Sequence, residues 1–450
     1  MANPRFRIAI IGGGIAGLTL AVALGKLATD IEIHIYESAA VFTEVGAGIS
    51  MSARIWETIE ALGLADDMRP YAHNFDLPIN FRKADQPEPI TLSTTAIRTF
   101  ITFHRSDFQT ALCKNLPPSV HSHFSKRLVA FMETDSGEIE LRFKDGTIAT
   151  CDVAVGCDGI HSAVRMAMYE ALAKQLEATG RSEEAAKALF HAKPVWTGTL
   201  VYRSLVSKEA LASRHPGHEA LTDNILYFGK NQHGISYPVG AGENAKLNVA
   251  GMVTKPHLEG VDYNGPWVAP STKDAALREF SHFAQEFKDI LECMDNVMLW
   301  AMHTIQGLPT YVDGRVAIMG DAAHAMTPYQ GAGGGQAIED AYILATILSQ
   351  PTVTRETLPI ALQVFDNIRR PFTQDVQWRS HESGLIYQLN TSELVNVTAE
   401  DSSAGAINTE TIERMAKMQN ELADWADTTS LVPDVERARK LVEERIRSSA

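Results

Sequence analysis

The sequence predicts an α/β protein: a doubly wound, Rossmann-type domain interleaved with an α+β domain carrying a mostly antiparallel sheet, plus a helical C-terminal region. Three observations predict this. A strand, a glycine turn and a helix open the chain between Arg7 and Leu27. A second strand, glycine-rich loop and helix occupy Arg315–Leu348. Between them, Val195–Met252 holds short β-rich segments separated by turn residues, the pattern of an antiparallel sheet.

Composition sets the bounds. The 450 residues suggest two to three domains, and 45% apolar with 21% charged residues is the balance of a globular protein with a large core. A net charge of −15 argues against nucleic acid or an anionic membrane as partner, and leaves any anionic substrate to be held by local groups. Cys113, Cys151, Cys157 and Cys293 contain no C-x-x-C pair, so a reducing, cytoplasmic setting is expected. Ile8–Gly25 is uncharged for 18 residues, but three glycines at its centre fit a strand, turn and buried helix better than a membrane span.

The first element, Arg7–Ile11, is a β-branched run that reads as a buried strand. Gly12-Gly13-Gly14-Ile15-Ala16-Gly17 follows, then a helix over Leu18–Leu27 and a strand over Ile31–Tyr36 ending at Glu37. Gly12 permits the tight turn, Gly14 lets backbone approach a pyrophosphate, and Gly17 lets helix and strand pack closely. With Ile15 and Ala16 completing the turn, the helix N-terminus beyond it offers free N–H groups and partial positive charge to phosphates. Glu37 lies 20 residues after Gly17, the spacing at which an acid accepts hydrogen bonds from a ribose 2′-OH. The motif implies a dinucleotide and leaves FAD and NAD open.

Further along, Ile139–Phe143, Asp145-Gly146 and Thr147–Cys151 read as a hairpin. Val153–Gly156 is a strand, Cys157-Asp158-Gly159 a turn, and Arg165 lies in the helix that follows, where it caps or pairs locally. Ala167–His191 reads as a polar helical surface insert. The central sheet is built from Thr199–Ser204, Ile225–Phe228, Gly234–Val239 and Leu247–Ala250. Arg315–Met319 is a strand closed by Gly320-Asp321, Pro328–Gln336 a loop and Gln336–Leu348 a helix. A glycine-rich approach to a helix N-terminus makes an anion site, while Asp321 can accept only from hydroxyls. Reduced flavin, with a polyol chain and an anionic ring edge, uses both. After Pro371 the chain turns helical, and this tail either covers a pocket or meets a second copy. The boundaries implied are 1–75, 101–190 and 301–350 for the Rossmann-type domain, 76–100 and 191–300 for the substrate domain, and 351–450 for the helical region.

Together, Gly12–Gly17 with Glu37, Cys157-Asp158-Gly159, and Gly320-Asp321-Ala322-Ala323-His324 resemble the three fingerprints of the single-component FAD-dependent aromatic monooxygenases. The run Thr327–Gly333 is most similar to their salicylate hydroxylase branch, which often carries His at the position of Tyr329. The resemblance spans about Arg7 to about Arg370. It implies that Glu37 binds the adenosine ribose, that Gly46–Ile49, Gly48 included, lines the isoalloxazine, and that Arg105 meets the diphosphate. It implies further that Asp158 serves both FAD and reduced nicotinamide and Asp321 the diphosphate–ribityl region. Pro328 and the run Gly331, Gly333 and Gly334 would take the pyrimidine side of the flavin.

No second G-x-G-x-x-G unit exists for a nicotinamide, so NADH or NADPH is expected as a transient co-substrate. The expected partners are a phenolic small molecule and O2, with a homodimer left open. The most specific expectation is salicylate-type decarboxylative hydroxylation, giving a catechol, CO2 and water. A salicylate carboxylate needs a local cation; Arg203 is the candidate because a guanidinium binds carboxylate bidentately, and a structural salt bridge explains it equally well. Tyr237 and His233 are candidates for the phenol contact, with core packing as the competing account, as for His324. His121 and His123 have no acidic or cysteine neighbour in sequence and read as surface residues; no metal site is expected. Three alternatives stay open: hydroxylation of a polyketide or other secondary-metabolite phenol, a flavin oxidase or reductase without oxygen insertion, and a non-catalytic binding module that retains the Rossmann-type unit.

Overall fold

A computed structural model describes residues 3–43, 48–75, 79–94, 100–239 and 246–449. The apolar run Phe6–Ile11 lies at the centre of a six-stranded sheet, parallel to Ile31–Tyr36 on one side and Val153–Gly156 on the other. Val316–Ile318 and Val120–His123 extend the sheet in parallel, and the short strand Val312–Asp313 closes one edge antiparallel. A parallel sheet needs cover on its faces. The helices Ile15–Leu27 and Gly333–Leu348 pack on each other against it, and both are buried nearly all round. The first of them begins at Ile15 rather than Leu18, so Gly17 stands inside its first turn.

The predicted hairpin forms, pairing Ile139 with Cys151 and Arg142 with Ile148, and Leu128–Glu133 adds a third strand to it. The segment read as a surface insert is two helices, Ala163–Ala178 and Ser182–Ala192. Its first turns belong to the core: Met168 and Tyr169 are buried, and the Tyr169 hydroxyl donates to the Thr310 carbonyl at 2.8 Å. A polar composition hid this, because only one stripe of the helix is apolar.

The second sheet has eight strands, in the order Val268–Pro270, Met298–Ile305, Pro194–Ser207, Lys246–Thr254, Gln232–Val239, Asn224–Gly229, Ile79–Lys83 and Ile90–Thr94. All neighbours are antiparallel except Asn224–Gly229 with Ile79–Lys83. Strand alternation gives the sheet two different faces. On one, Tyr202, Val249 and Tyr227 pack with Phe280, Phe283 and Phe287. Gly234 and Gly251 are register partners there, and a Cβ would lie 2.2 Å from Phe287 on the first and 2.6 Å from Phe280 on the second, so these glycines seat the two rings. The other face carries Arg203 opposite Ala250 and Tyr237 opposite Asn248.

One helix, Leu358–Tyr387, runs 30 residues straight through Pro371, where the sequence suggested that helical structure only began afterwards. A proline inside a helix costs about 3 kcal/mol. Burial of Leu362, Phe365, Ile368 and Val376 around it offsets that cost. The remaining tail is fastened to the sheet domain by two buried lysines. Lys83 Nζ donates to Asp85 at 2.6 Å and to the Ser402 carbonyl at 2.9 Å. Lys230 Nζ donates to the carbonyls of Leu389 and Leu394. None of the described helices is long and apolar enough to cross a membrane.

Candidate active site

Two glycine turns that are remote in sequence meet in space. Gly12 has φ +110°, and its amide donates to the Tyr36 carbonyl at 2.9 Å. A Cβ there would lie 2.3 Å from the Cys157 carbonyl oxygen, and one on Gly17 would lie 2.0 Å from the Gly12 oxygen. Helix and strands are thus packed backbone to backbone. Gly14 stands at the helix N-cap with no side-chain cap, ahead of buried Ile15 and Ala16. Glu37 reaches this turn: its carboxylate accepts from the Gly13 amide and from the Ala39 amide, both at 2.7 Å. The late motif arrives beside it. Gly320 has φ +59°, and a Cβ on it would lie 3.1 Å from Ala16 Cβ and 3.3 Å from Ala337 Cβ. Exposed Asp321 follows immediately. Arg105 opens the helix Arg105–Lys114, and Gln109, one turn on, points Nε2 at the Gly13 carbonyl at 3.4 Å. Gln109 was not singled out in the sequence; its signal is the i+4 spacing from Arg105.

The flavin-loop expectations divide. Pro328–Gln330 is a single 3-10 turn, and Gly331, at φ +64°, ends it; Pro328 and Gly331 are exposed. Gly333 and Gly334, read as loop, instead form the first turn of the helix Gly333–Leu348. The reason is packing: a Cβ would lie 2.6 Å from Ile49 on Gly334 and 2.8 Å from Ile55 on Gly335, so these glycines let the helix start directly on its neighbours. Gly48 pairs with His104, and a Cβ there would lie 3.9 Å from the Tyr237 hydroxyl. Gly46 and Ala47 lie outside the described residues.

Asp158 and Arg165 bind the chain itself. Asp158 accepts from the Ser162 hydroxyl at 2.5 Å and from the Ala163 and Val164 amides at 2.7 and 3.2 Å, so its carboxylate caps the following helix. Fully buried Arg165 donates to the carbonyls of Ala192, Ala322 and Ile160, joining three segments. Behind the Gly333 helix lies a charge network that sequence reading did not find. Arg54 bonds Glu339 at 2.7 Å; Arg369 bonds Glu339 and Asp340, each at 2.8 Å; His324 Nε2 meets Asp340 at 2.6 Å. All five side chains are almost wholly buried. Burial pushes the Asp340 carboxyl up, but His324 and Arg369 together hold it down at about 2. His324 is therefore a structural partner of Asp340, and Asp340 also accepts from the Gly320 amide at 3.0 Å. The network sets the turn that carries Asp321.

A cavity opens between the Pro328–Gly331 loop and the inner face of the large sheet. Ser50, Phe81, Leu226, Ile235, Tyr237 and Tyr329 are among its walls, and Gln419, Asn420 and Ala423 of the helix Thr409–Ala423 complete them. The helical tail thus covers the pocket. Gln330 ties the two together, donating to the Ser383 hydroxyl at 3.0 Å and accepting from the Trp425 indole at 2.9 Å. Tyr237 lies in the cavity wall; Arg203 does not, and its Nε donates to Asn248 Oδ1 at 3.3 Å. Burial raises the Tyr237 hydroxyl pKa and the nearby Arg203 charge opposes the rise. His233 packs edge-on to Tyr329, with ring centroids 5.0 Å apart, and does not line the cavity.

Burial drives His233 down to about 3. A base with a depressed folded pKa loses stability as pH falls through its unfolded value, about 6.5. Between pH 6.5 and 5 this residue is expected to cost on the order of 2 kcal/mol. His233→Gln should flatten the fall in Tm over that interval; an unchanged slope would show that the imidazole is not held neutral.

The comparisons with known proteins agree with this geometry. The model of the FAD binding domain family matches residues 5–217 and 261–380. Salicylate hydroxylase of Pseudomonas putida is 34% identical over 399 residues, covering 86% of each chain. The chain belongs to the FAD-dependent aromatic monooxygenases of the salicylate hydroxylase family. The FAD-dependent monooxygenase str9 of Strobilurus tenacellus is 32% identical over 99% of both chains. Among solved structures, a salicylate hydroxylase substrate complex superimposes with a TM-score of 0.75 and 30% identity over 96% of this chain and 100% of that one. As in its family, this monooxygenase uses FAD. The residues there fit it: a Cβ on Gly12 or Gly17 would run into backbone, one on Gly320 would crowd Ala16 and Ala337, Glu37 stands at the first turn, and the Gly320 and Gly12 turns adjoin.

Proposed function

We propose that this monooxygenase hydroxylates the ring of a small phenol in the cavity beside Tyr237, with NADH or NADPH as transient reductant. Bound FAD supplies electron transfer to O2 and delivery of one oxygen atom to the ring. The observation that carries the reading is a single cavity bounded by Pro328, Tyr329 and Gly331 on one side and by the inner sheet face on the other. Phe81, Leu226 and Ile235 exclude water, which protects a reactive oxygen donor from wasteful decay. The N-terminus of the Gly333 helix points its dipole at the glycine loop and favours negative charge there. Tyr237, its pKa raised by burial, offers a hydrogen bond to a phenolic oxygen. Glu37, Arg105 and Asp321 would hold the adenosine ribose, the diphosphate and the diphosphate–ribityl region.

Decarboxylative hydroxylation of a salicylate to a catechol is supported by the names of the relatives and by Arg203, which shares the sheet face of Tyr237. A 6-methylsalicylate 1-monooxygenase of Aspergillus terreus, 32% identical, points the same way. A specific observation favours a second reading, a neutral secondary-metabolite phenol: among the described residues, no charged side chain lines the cavity. The test is NAD(P)H oxidation with salicylate and its methyl ester, with catechol and CO2 measured alongside. The salicylate reading expects turnover of the acid alone, and Arg203→Ala should raise KM at least tenfold, about 1.4 kcal/mol of lost binding. Equal turnover of the ester with unchanged KM selects the neutral phenol. NAD(P)H oxidation without any hydroxylated product across a phenol panel would sink both.

A further inference from the structure

We infer that the edge of the parallel sheet carries a site for a divalent metal ion of the zinc class, ligated by Glu32, His34 and His121. The sequence offered His121 no acidic neighbour; the fold brings it beside Glu32 and His34. Val120–His123 is the edge strand and pairs in parallel with Ile31–Tyr36, which puts His34 directly opposite His121 and Tyr36 opposite His123. Glu32 and His34 alternate with buried Ile31, Ile33 and Ile35, so both project from the same, outward face. One donor atom from each of Glu32, His34 and His121 lies within 4.8 Å of the other two. Zinc bonds of about 2.0–2.1 Å need donors about 3.3 Å apart, a closure within reach of exposed His121 by rotation about its side-chain bonds.

The surroundings suit a ligand set. His34 Nε2 stands 2.7 Å from Glu32 Oε1, and His34 Nδ1 stands 3.0 Å from His123 Nε2. Without an ion, His34 Nε2–H donates to Glu32; an ion would take the place of that proton, while Nδ1–H donates to His123 Nε2. That is how a metal-binding histidine is normally oriented, by a hydrogen bond from its other nitrogen. The His123 ring is itself stacked on Tyr36, with centroids 4.7 Å apart, and Tyr36 on Phe143 at 4.8 Å. Two imidazoles and a carboxylate select zinc, nickel or copper over calcium or magnesium. The ion would brace the rim from which Glu37 reaches the glycine turn, since the Glu37 amide donates to the His123 carbonyl at 2.8 Å.

The experiment titrates Zn2+ into the full-length, FAD-loaded protein in competition with a chromophoric chelator. One equivalent should bind, and His34→Ala and His121→Asn should each weaken it at least about tenfold. His257→Ala, at an exposed histidine outside the cluster, should bind as the parent does. Zn2+ should raise the Tm of the parent and of His257→Ala, and not of the two cluster variants. Absence of stoichiometric uptake by the parent, or parental affinity in His121→Asn, would overturn the site. His121 is exposed on an edge strand, so its replacement leaves the fold intact and the result readable.

Discussion

Arg369→Met is expected to lower the unfolding free energy by about 3–5 kcal/mol, because it strips a cation from two carboxylates that have no water to turn to. The guanidinium is fully buried and spans Glu339, Asp340 and the Gln336 side chain. Arg54 still faces Glu339 after the change, and His324 still faces Asp340, so the loss is that of a broken network rather than of two bare charges. Asp340 also holds the Gly320 amide, so FAD retention should fall together with stability. Denaturant midpoints with and without added FAD measure both. A loss below about 1 kcal/mol would mean that the charges are solvated or already neutral. Adding Asp340→Asn and Glu339→Gln to Arg369→Met should restore part of the loss, since each removes a stranded charge.

The second large effect is expected at Gly12. Gly12→Ala places a methyl 2.3 Å from the Cys157 carbonyl oxygen, at a φ of +110° that alanine rarely adopts. Backbone on both sides must move, and the turn facing the dinucleotide moves with it. FAD affinity should drop at least 100-fold, about 2.7 kcal/mol, read as loss of yellow colour on gel filtration and as a Kd by flavin fluorescence. Gly146→Ala separates the two causes. It has φ +84° but nothing within 4 Å of the added carbon, so it pays conformational strain alone and should keep its flavin. If both variants retain FAD equally, the close approach of Gly12 to Cys157 is not what shapes the site.

The dinucleotide turn was legible because its signals are local. Glycine spacing, a β-branched strand and a timed acid all lie within 31 residues, from Arg7 to Glu37, and each answers to backbone geometry alone. Gly12 and Gly17 prove to be the close approaches that the pattern implied. The late glycines were read less well. A run of glycines signals a loop as readily as a crowded helix start, and only Ile49 and Ile55, nearly 300 residues upstream, decide that Gly334 and Gly335 are the second. Proline at 371 misled in the same manner: its local cost is real, and burial along the long helix outweighs it.

Charge was the least legible property. Arg54, Glu339, Asp340 and Arg369 look like ordinary surface residues until three helices bring them together in the interior. Arg203, the candidate carboxylate clamp, shares the sheet face of Tyr237, but its Nε donates to Asn248 and it stands outside the cavity wall. Glu32, His34 and His121 needed a parallel pairing of strands almost 90 residues apart. Local chemistry written along the chain was enough to specify the cofactor fold and the turn that meets it. The uncharged lining of the pocket among the described residues, its helical cover and the buried ion pairs were settled by tertiary packing, because solvation of a charge depends on what surrounds it and not on its neighbours in sequence.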